Sequence, residues 1–459
     1  MKANRIKVEP FHFVNILSYS GVKQVNSHGS VLLSGLIRSE DREKYLSLLG
    51  QDTWVTVTVS DEEESRIVFC GIITDASLDQ NGESSILSLE LKNGTYRLEG
   101  VRHIRSFQKE ALTYKDVIKN ILKPYEKSNM IMTSSDQQCG FMLQYGESDW
   151  EFLKRVASCM KTVLIPDSVT GGVKFFCGVP NRGAAGEIHT KTYQVKKSLR
   201  EYASKKKNGL SQLTEEDACY YVLKLRDIYD LGDEIVLNGM SMNVFKMYSE
   251  LEGAELCHTY YLKSKRGFSV TKAYNESLTG VSLTGKVVGV QGTQIKVKLD
   301  EDENETGGGE RWFDYSTPYS SQAGAGFYCM PEQGDTIRLY CPTRDEKTAY
   351  ANSSVHREVQ KNPEVKTFMN KEGKQIILAP NYIRLTNNNG MTLELNDQSG
   401  IKVESQGAVS MSASDHIDIS SKNGGITLSA KNKVLLKQGD TLLNLAGDIS
   451  LKGAKVNIN

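Results

Sequence analysis

Seven histidines could carry acid–base or metal chemistry in this chain: His12, His28, His103, His189, His258, His356 and His416. They are scattered with no spacing that would converge two of them on one metal ion, and no H-E-x-x-H is present. No phosphate-cradling P-loop, G-x-S-x-G nucleophile turn or G-x-G-x-x-G dinucleotide turn occurs either. Cys257 and His258 are the one Cys/His neighbour pair. On a strand, adjacent residues point to opposite faces, so they make no catalytic couple. The eight cysteines, Cys70, Cys139, Cys159, Cys177, Cys219, Cys257, Cys329 and Cys341, include no C-x-x-C pair. They read as free thiols of a reducing compartment rather than zinc ligands or disulfides. A chain without a catalytic constellation is expected to be non-enzymatic, with no cofactor and no metal.

Charge narrows the partners. Lys plus Arg and Asp plus Glu both total 56 over 459 residues, a formal net charge of zero. Nucleic-acid binders show a basic excess or face, so none is expected as a partner. The run Ser204–Gly209 (SKKKNG), with Lys196, Lys197 and Arg200 nearby, could bind phosphate; a solvated loop is the expected alternative. Asp61–Ser65 (DEEES) reads as an exposed hairpin turn. The first residues, MKANRIKVEP, carry no signal-peptide pattern, and no apolar run reaches 18 residues. Synthesis in the cytoplasm is expected.

The elements that position these residues are mostly strands. From about Lys371 to Asn459, apolar and polar residues alternate without a helical interruption. Eleven apolar pairs mark the inward positions: Ile376/Leu378, Ile383/Leu385, Leu393/Leu395, Ile401/Val403, Val409/Met411, Ile417/Ile419, Ile426/Leu428, Val434/Leu436, Leu443/Leu445, Ile449/Leu451 and Val456/Ile458. They begin 6 to 10 residues apart, most often 8, with Gly or Asn in the turns. A fixed-period unit of one strand and one turn means a β-solenoid or β-prism. A coil that closes three faces by itself needs roughly 18 or more residues, so an eight-residue unit supplies one face. Two further copies must supply the others, which makes the chain an expected homotrimer. Ile401, Val403, Ile417, Ile419, Ile426 and Leu428 are the expected dry interior. The competing arrangement is an antiparallel sandwich of short strands, which also shows regular turns.

Upstream, residues 281–355 hold five or so short strands, beginning with a hairpin around Gln291 and Gly292, and fit a small barrel of oligonucleotide/oligosaccharide-binding (OB) type. Before it, strand-like runs surround two helical segments. One places Leu112, Val117, Ile118, Ile121 and Leu122 on a face; the other places Trp150, Leu153, Val156 and Ala157.

Four segments, in order, resemble the VgrG family and the related hub and spike proteins of contractile phage tails. RSFQKEALTYKDVIKNIL (105–122) is similar to that family's R-x-F-Q segment and following helix. YGESDWEFLKRVAS (145–158) is similar to its Y-x-E-S/T-D-x-x-F-L-x-R-L helix, with Tyr145, Glu147, Ser148, Asp149, Phe152, Leu153 and Arg155 in register. LGDEIVLNG with VFKMYSELEG (231–253) resembles its second hub barrel, and GAGFYCMPEQGDTIRL (324–339) its barrel above the needle.

The resemblance implies a mainly β chain with a small α+β insert: a first hub β-barrel (1–105), the insert (106–190), a second hub β-barrel (191–275), an OB-fold barrel (281–355) and a triple-stranded β-helix needle (366–459), intertwined as a trimer. It implies six similar hub barrels under a six-fold tail tube, a three-fold needle that pierces a target envelope, baseplate neighbours, and effector cargo as a possible passenger. Val456, Ile458 and Asn459 would meet a PAAR-like tip protein, since three repeats ending there leave an apolar cross-section open. About 15 residues, VHREVQKNPEVKTFM, separate the OB block from the needle, too few for the lysozyme domain some spikes carry there, and no effector domain is expected after Asn459. A trimeric receptor-binding fibre or adhesin, and a polysaccharide-degrading tailspike, are the rival readings. The hub motifs speak against both.

Overall fold

A computed structural model describes residues 5–445 except 61–63, 83, 254, 305–307 and 357–360. It divides into two compact units, residues 1–356 and 357–459.

In the first unit, alternating residues build strands β1 (Arg5–Glu9), β2 (Asn15–Gln24), β3 (Ser27–Ile37), β4 (Trp54–Ser60), β5 (Ser65–Asn81) and β6 (Ser84–Asn93), with a short helix α1 (Arg42–Leu48) between β3 and β4. Trp54–Ser60 shows the rule plainly: Val55, Val57 and Val59 are buried while the threonines between them face outward. The turn read at Asp61–Ser65 joins β4 to β5, and residues 61–63 of it lie outside the described residues.

The insert follows, with β7 (Arg102–Phe107), helix α2 (Tyr114–Leu122), β8 (Asn129–Met132), β9 (Met142–Ser148), helix α3 (Asp149–Cys159), β10 (Leu164–Pro166) and β11 (Lys174–Cys177). Both helices start at capping boxes. In α2, Thr113 Oγ1 accepts from the Asp116 N–H at 3.2 Å while the Asp116 carboxylate accepts from the Thr113 N–H at 3.1 Å. The faces expected from the 3.6-residue period are buried: Val117, Ile118, Ile121 and Leu122 pack with Trp150, Leu153, Val156 and Ala157.

The chain then forms β12 (Ala184–Ile188), β13 (Gln194–Lys197), helix α4 (Leu199–Lys207), β14 (Cys219–Leu225), β15 (Glu234–Leu237), β16 (Met240–Glu252) and β17 (Glu255–Lys263). Here the loop expected at Ser204–Gly209 is corrected, because Ser204–Lys207 form the last turn of α4. Ser198 caps that helix by accepting from the Glu201 N–H, and Glu201 in turn binds Lys205 at 2.8 Å and the buried Lys263 at 2.7 Å. The lysine run is therefore a helix C-terminus, where cations are favoured.

The strands on the two sides of the insert belong to one 12-stranded sheet, because β2 pairs antiparallel with β16, Lys246 opposite Gln24 and Glu250 opposite Ser20. At this seam Lys23 Nζ lies 2.8 Å from Asp230, and Arg66 reaches the same carboxylate at 3.2 Å. His258 is buried beneath it. Its Nδ1 bonds Ser249 Oγ at 2.7 Å, and its Nε2 has no hydrogen-bond partner among the described residues. Burial first, then the cations Lys23 and Arg66, hold the imidazole down at about 4, against the pull of Asp230 and Asp227. An unfolded histidine titrates near pH 6.5, so the unfolded chain binds the extra proton between these values. Stability from this group is fully present above about pH 6.5 and falls as pH drops towards 4, by up to roughly 3 kcal/mol. Thermal melts from pH 7.5 to 4.5 should show this decline, and His258→Gln should flatten it; an unchanged pH profile in that variant would contradict the assignment.

Residues 281–352 form β18 (Val281–Gln291), β19 (Gln294–Leu299), β20 (Trp312–Asp314), β21 (Thr336–Cys341) and β22 (Tyr350–Asn352), in sheet order β20-β19-β18-β21-β22. A parallel bridge from Tyr315 to Ala351 links the two end strands, which closes the five-stranded barrel. Its hairpin turns at Gly292, whose positive φ of 57° suits a tight turn.

In the second unit, β23 (Lys366–Met369), β24 (Gln375–Ala379), β25 (Tyr382–Thr386), β26 (Thr392–Asn396) and β27 (Gly400–Glu404) make an antiparallel meander, and β28 (Val434–Gln438) pairs with β29 (Thr441–Leu445). Residues 405–433 carry no strand. All eight cysteines are free; burial pushes the Cys177 thiol up to about 12 and that of Cys341 to about 11.

Candidate functional site: a buried ionic joint and an uncovered apolar sheet

The residues of the two family-like motifs meet in one place. Gly146 takes a positive φ of 60°, and the chain then passes from β9 directly into α3 through Ser148. Ser148 Oγ accepts from the Glu151 N–H at 3.1 Å and donates to the Glu99 carboxylate at 2.6 Å. Asp149, 1 % exposed, accepts from Arg105 Nη1 at 2.7 Å, Tyr125 Oη at 2.7 Å and Gln144 Nε2 at 2.9 Å. Phe152 stacks on Phe107 with ring centroids 5.6 Å apart.

One helical turn on, Arg155 is buried at 4 % exposure. Its Nε and Nη2 hold both oxygens of Glu147 at 2.8 and 2.7 Å, Nη2 also donates to the Leu143 carbonyl at 2.8 Å, and Nη1 donates to Glu346 at 2.7 Å. Burial opposes the guanidinium charge, but the two carboxylates outweigh it and raise its pKa further. Glu147 comes from β9, whereas Glu346 comes from the loop between β21 and β22 of the small barrel. The triad therefore ties the insert to the barrel.

A second set of bonds completes the joint. Asp302, just after β19, accepts from the Ser106 N–H at 2.9 Å and from Ser106 Oγ. Glu303 accepts from the Ile104 N–H at 2.9 Å and from His103 Nδ1 at 2.6 Å. Burial pushes its carboxyl up, and the Ile104 N–H, His103 and Arg105 together bring it below the usual range. Gln108 Nε2 donates to the Val297 carbonyl at 3.1 Å, and Phe141 and Leu143 of the insert lie in the barrel's own core. The carboxylates of the joint accept from cations, from N–H groups and from the hydroxyls of Ser106, Tyr125 and Ser148. The joint can hold two blocks in one relative position.

The fold thus brings Arg105, Phe107, Gln108, Glu147, Ser148, Asp149 and Arg155 together. Glu346, Asp302, Glu303 and His103 were not anticipated. The acidic run EDENE at 301–305 was the available signal for Asp302 and Glu303 alone.

The meander is the second candidate. Its register aligns Leu378–Ile383–Leu395–Ile401 in one file and Ile376–Leu385–Leu393–Val403 in a second. All eight side chains are on one face, and within the chain they are 39–74 % exposed. Ile401 and Val403 sit in β27. Ile417, Ile419, Ile426 and Leu428 are also exposed, in a stretch without strand pairing. Val456, Ile458 and Asn459 lie outside the described residues. Among the described residues, no group of three or more His, Cys, Asp or Glu could hold a metal ion, and no helix is long and apolar enough to cross a membrane.

This β-rich architecture is similar to the folds of solved secretion-system and VgrG-complex chains. Residues 30–158 match the family of the phage tail baseplate hub (GPD). The fold is similar to Escherichia coli c3393, a component of the type VI secretion system described as structurally similar to the T4 bacteriophage tail proteins gp27 and gp5 (TM-score 0.55, 13 % identity, 77 % of this chain and 100 % of that one). It is also similar to a chain of the Francisella PdpA–VgrG complex in its half-lidded form (TM-score 0.56, 8 % identity, 88 % of both chains). No curated protein matches the chain in sequence.

Proposed function

We propose that three copies of this chain form the hub and spike of a contractile injection device, joining a six-fold tail tube to a three-fold, envelope-piercing needle, and that the role is mechanical rather than catalytic. The observation that carries it is the apolar face of residues 366–404. Fully burying a Leu or Ile contributes about 1.5–3 kcal/mol, so covering eight half-exposed ones contributes on the order of 5–10 kcal/mol per chain. A monomer leaves that face in water. Two further copies would cover it and continue the inward file through Ile417, Ile419, Ile426 and Leu428 as a triple-stranded β-helix. The buried joint supports the same reading, because thrust from the tube must pass from insert to barrel to needle without slippage. Baseplate and tube proteins are the permanent partners, a PAAR-like protein would cap Val456, Ile458 and Asn459, effectors would travel as cargo, and the target envelope is met transiently.

Sedimentation tests this. The full chain should run as a trimer and residues 1–365 should not; a stable, folded full-length monomer would sink the reading. Shortening the chain to residue 451 should keep the trimer but lose the tip protein from assembled particles, and intact particles with no second protein at the apex would remove the tip from the proposal.

A further inference from the structure

The outer face of the small barrel concentrates positive charge that enters no ion pair among the described residues. Lys286 of β18 and Lys298 of β19 stand directly opposite each other. Lys296, two residues before Lys298, shares that face, as does Arg338, whose cross-strand partner Thr284 lies two residues before Lys286. Lys286, Lys298 and Arg338 are exposed and Lys296 is half-buried. Ion pairs tie down many basic side chains elsewhere, such as Lys224 to Glu252 and Arg344 to Glu276, but these four take part in none among the described residues. Like charges directly opposite on a sheet disfavour it, and such a local conflict is the kind that functional surfaces carry.

An aromatic ring stands in register with them. Trp312 pairs with Lys296 across β20 and β19, with the Lys296 ammonium 4.9 Å from the indole centroid. The far end of the indole lies beside Gly289, where a Cβ would already be in van der Waals contact at 3.5 Å, so the ring lies flat along the sheet. A flat indole bordered by point charges suits a pyranose ring that carries carboxylates. Single-stranded nucleic acid is matched less well, since it uses successive stacked rings, and the chain as a whole has no basic excess.

We propose that this face of the barrel binds an anionic polysaccharide, uronate carboxylates bridging Lys286, Lys296 and Lys298 while one sugar ring lies on Trp312. The inference does not depend on the spike reading or on the trimer. Titration of the full-length protein with oligogalacturonate, with dextran as neutral control and a single-stranded oligothymidylate as rival, tests it. Oligogalacturonate should bind and dextran should not, with affinity falling as salt rises from about 50 to 200 mM, because the contacts are ionic. The double variant Lys286→Gln/Lys298→Gln should weaken binding by about tenfold or more, while its melting temperature stays level or rises, because the repulsion between the two lysines is gone. Lys246→Gln, on the other sheet, should change nothing. Failure to bind oligogalacturonate, binding indifferent to the lysine pair, or tighter binding of oligothymidylate would each overturn the proposal.

Discussion

Arg155→Ala should cost about 3–5 kcal/mol. The guanidinium faces two carboxylates, Glu147 and Glu346, all three residues being less than a tenth exposed. Removing it leaves both acids buried at contact range with no cation between them. They must then protonate, draw in water or move apart, and moving apart opens the joint between insert and small barrel. Urea unfolding followed by hydrogen exchange should show β9, α3 and the Glu346 loop losing protection together. Two comparisons separate this from general damage. Arg102→Ala removes an exposed partner of Glu151, 3.2 Å away, and should cost well under 1 kcal/mol. The triple variant Arg155→Met/Glu147→Gln/Glu346→Gln should recover much of the loss, because it takes away the uncompensated charge along with the cation. If Arg155→Ala melted like Arg102→Ala, the joint would not be what holds the two blocks.

If three chains form the proposed needle, Ile419→Asp should abolish heat resistance, since it would place three carboxylates around one layer of the axis. Each must stay unpaired at a cost of several kcal/mol or take up a proton. Asp418→Ala, one residue away and on the opposite face of the proposed strand, should fall within about 0.5 kcal/mol of the parent. Ile419 is exposed in the single chain, so a monomer would tolerate the aspartate, and any loss therefore reports assembly. Gel mobility of the unheated and heated trimer distinguishes the two variants. Equal melting would mean that the inward and outward phases have been exchanged.

Much of this architecture was legible because it depends on near neighbours. The faces of α2 and α3 follow from side chains three and four residues apart, and each helix begins at a capping box contained within four residues. The hairpin of β18 and β19 follows from two alternating runs around Gly292. The apolar pairs of the C-terminal repeat came out on one face of the meander through Val403, because a period of two leaves no other choice. The misreading of Ser204–Gly209 shows the limit. A run of lysines looks like solvated loop, yet the partner that makes it a helix end, Lys263 bound to Glu201, stands 62 residues away.

By itself the sequence determined most of the element types and the two-residue alternation of the repeat. Only the tertiary structure decided that β2 and β16 join the two halves of one sheet, that Glu346 comes back 191 residues to meet Arg155, and that Lys286 faces Lys298. The physical reason is range. Periodicity and capping act over a few residues and are written in local order, whereas a buried charge accepts whichever opposite charge the packed backbone brings within about 3 Å, and no local pattern names that partner.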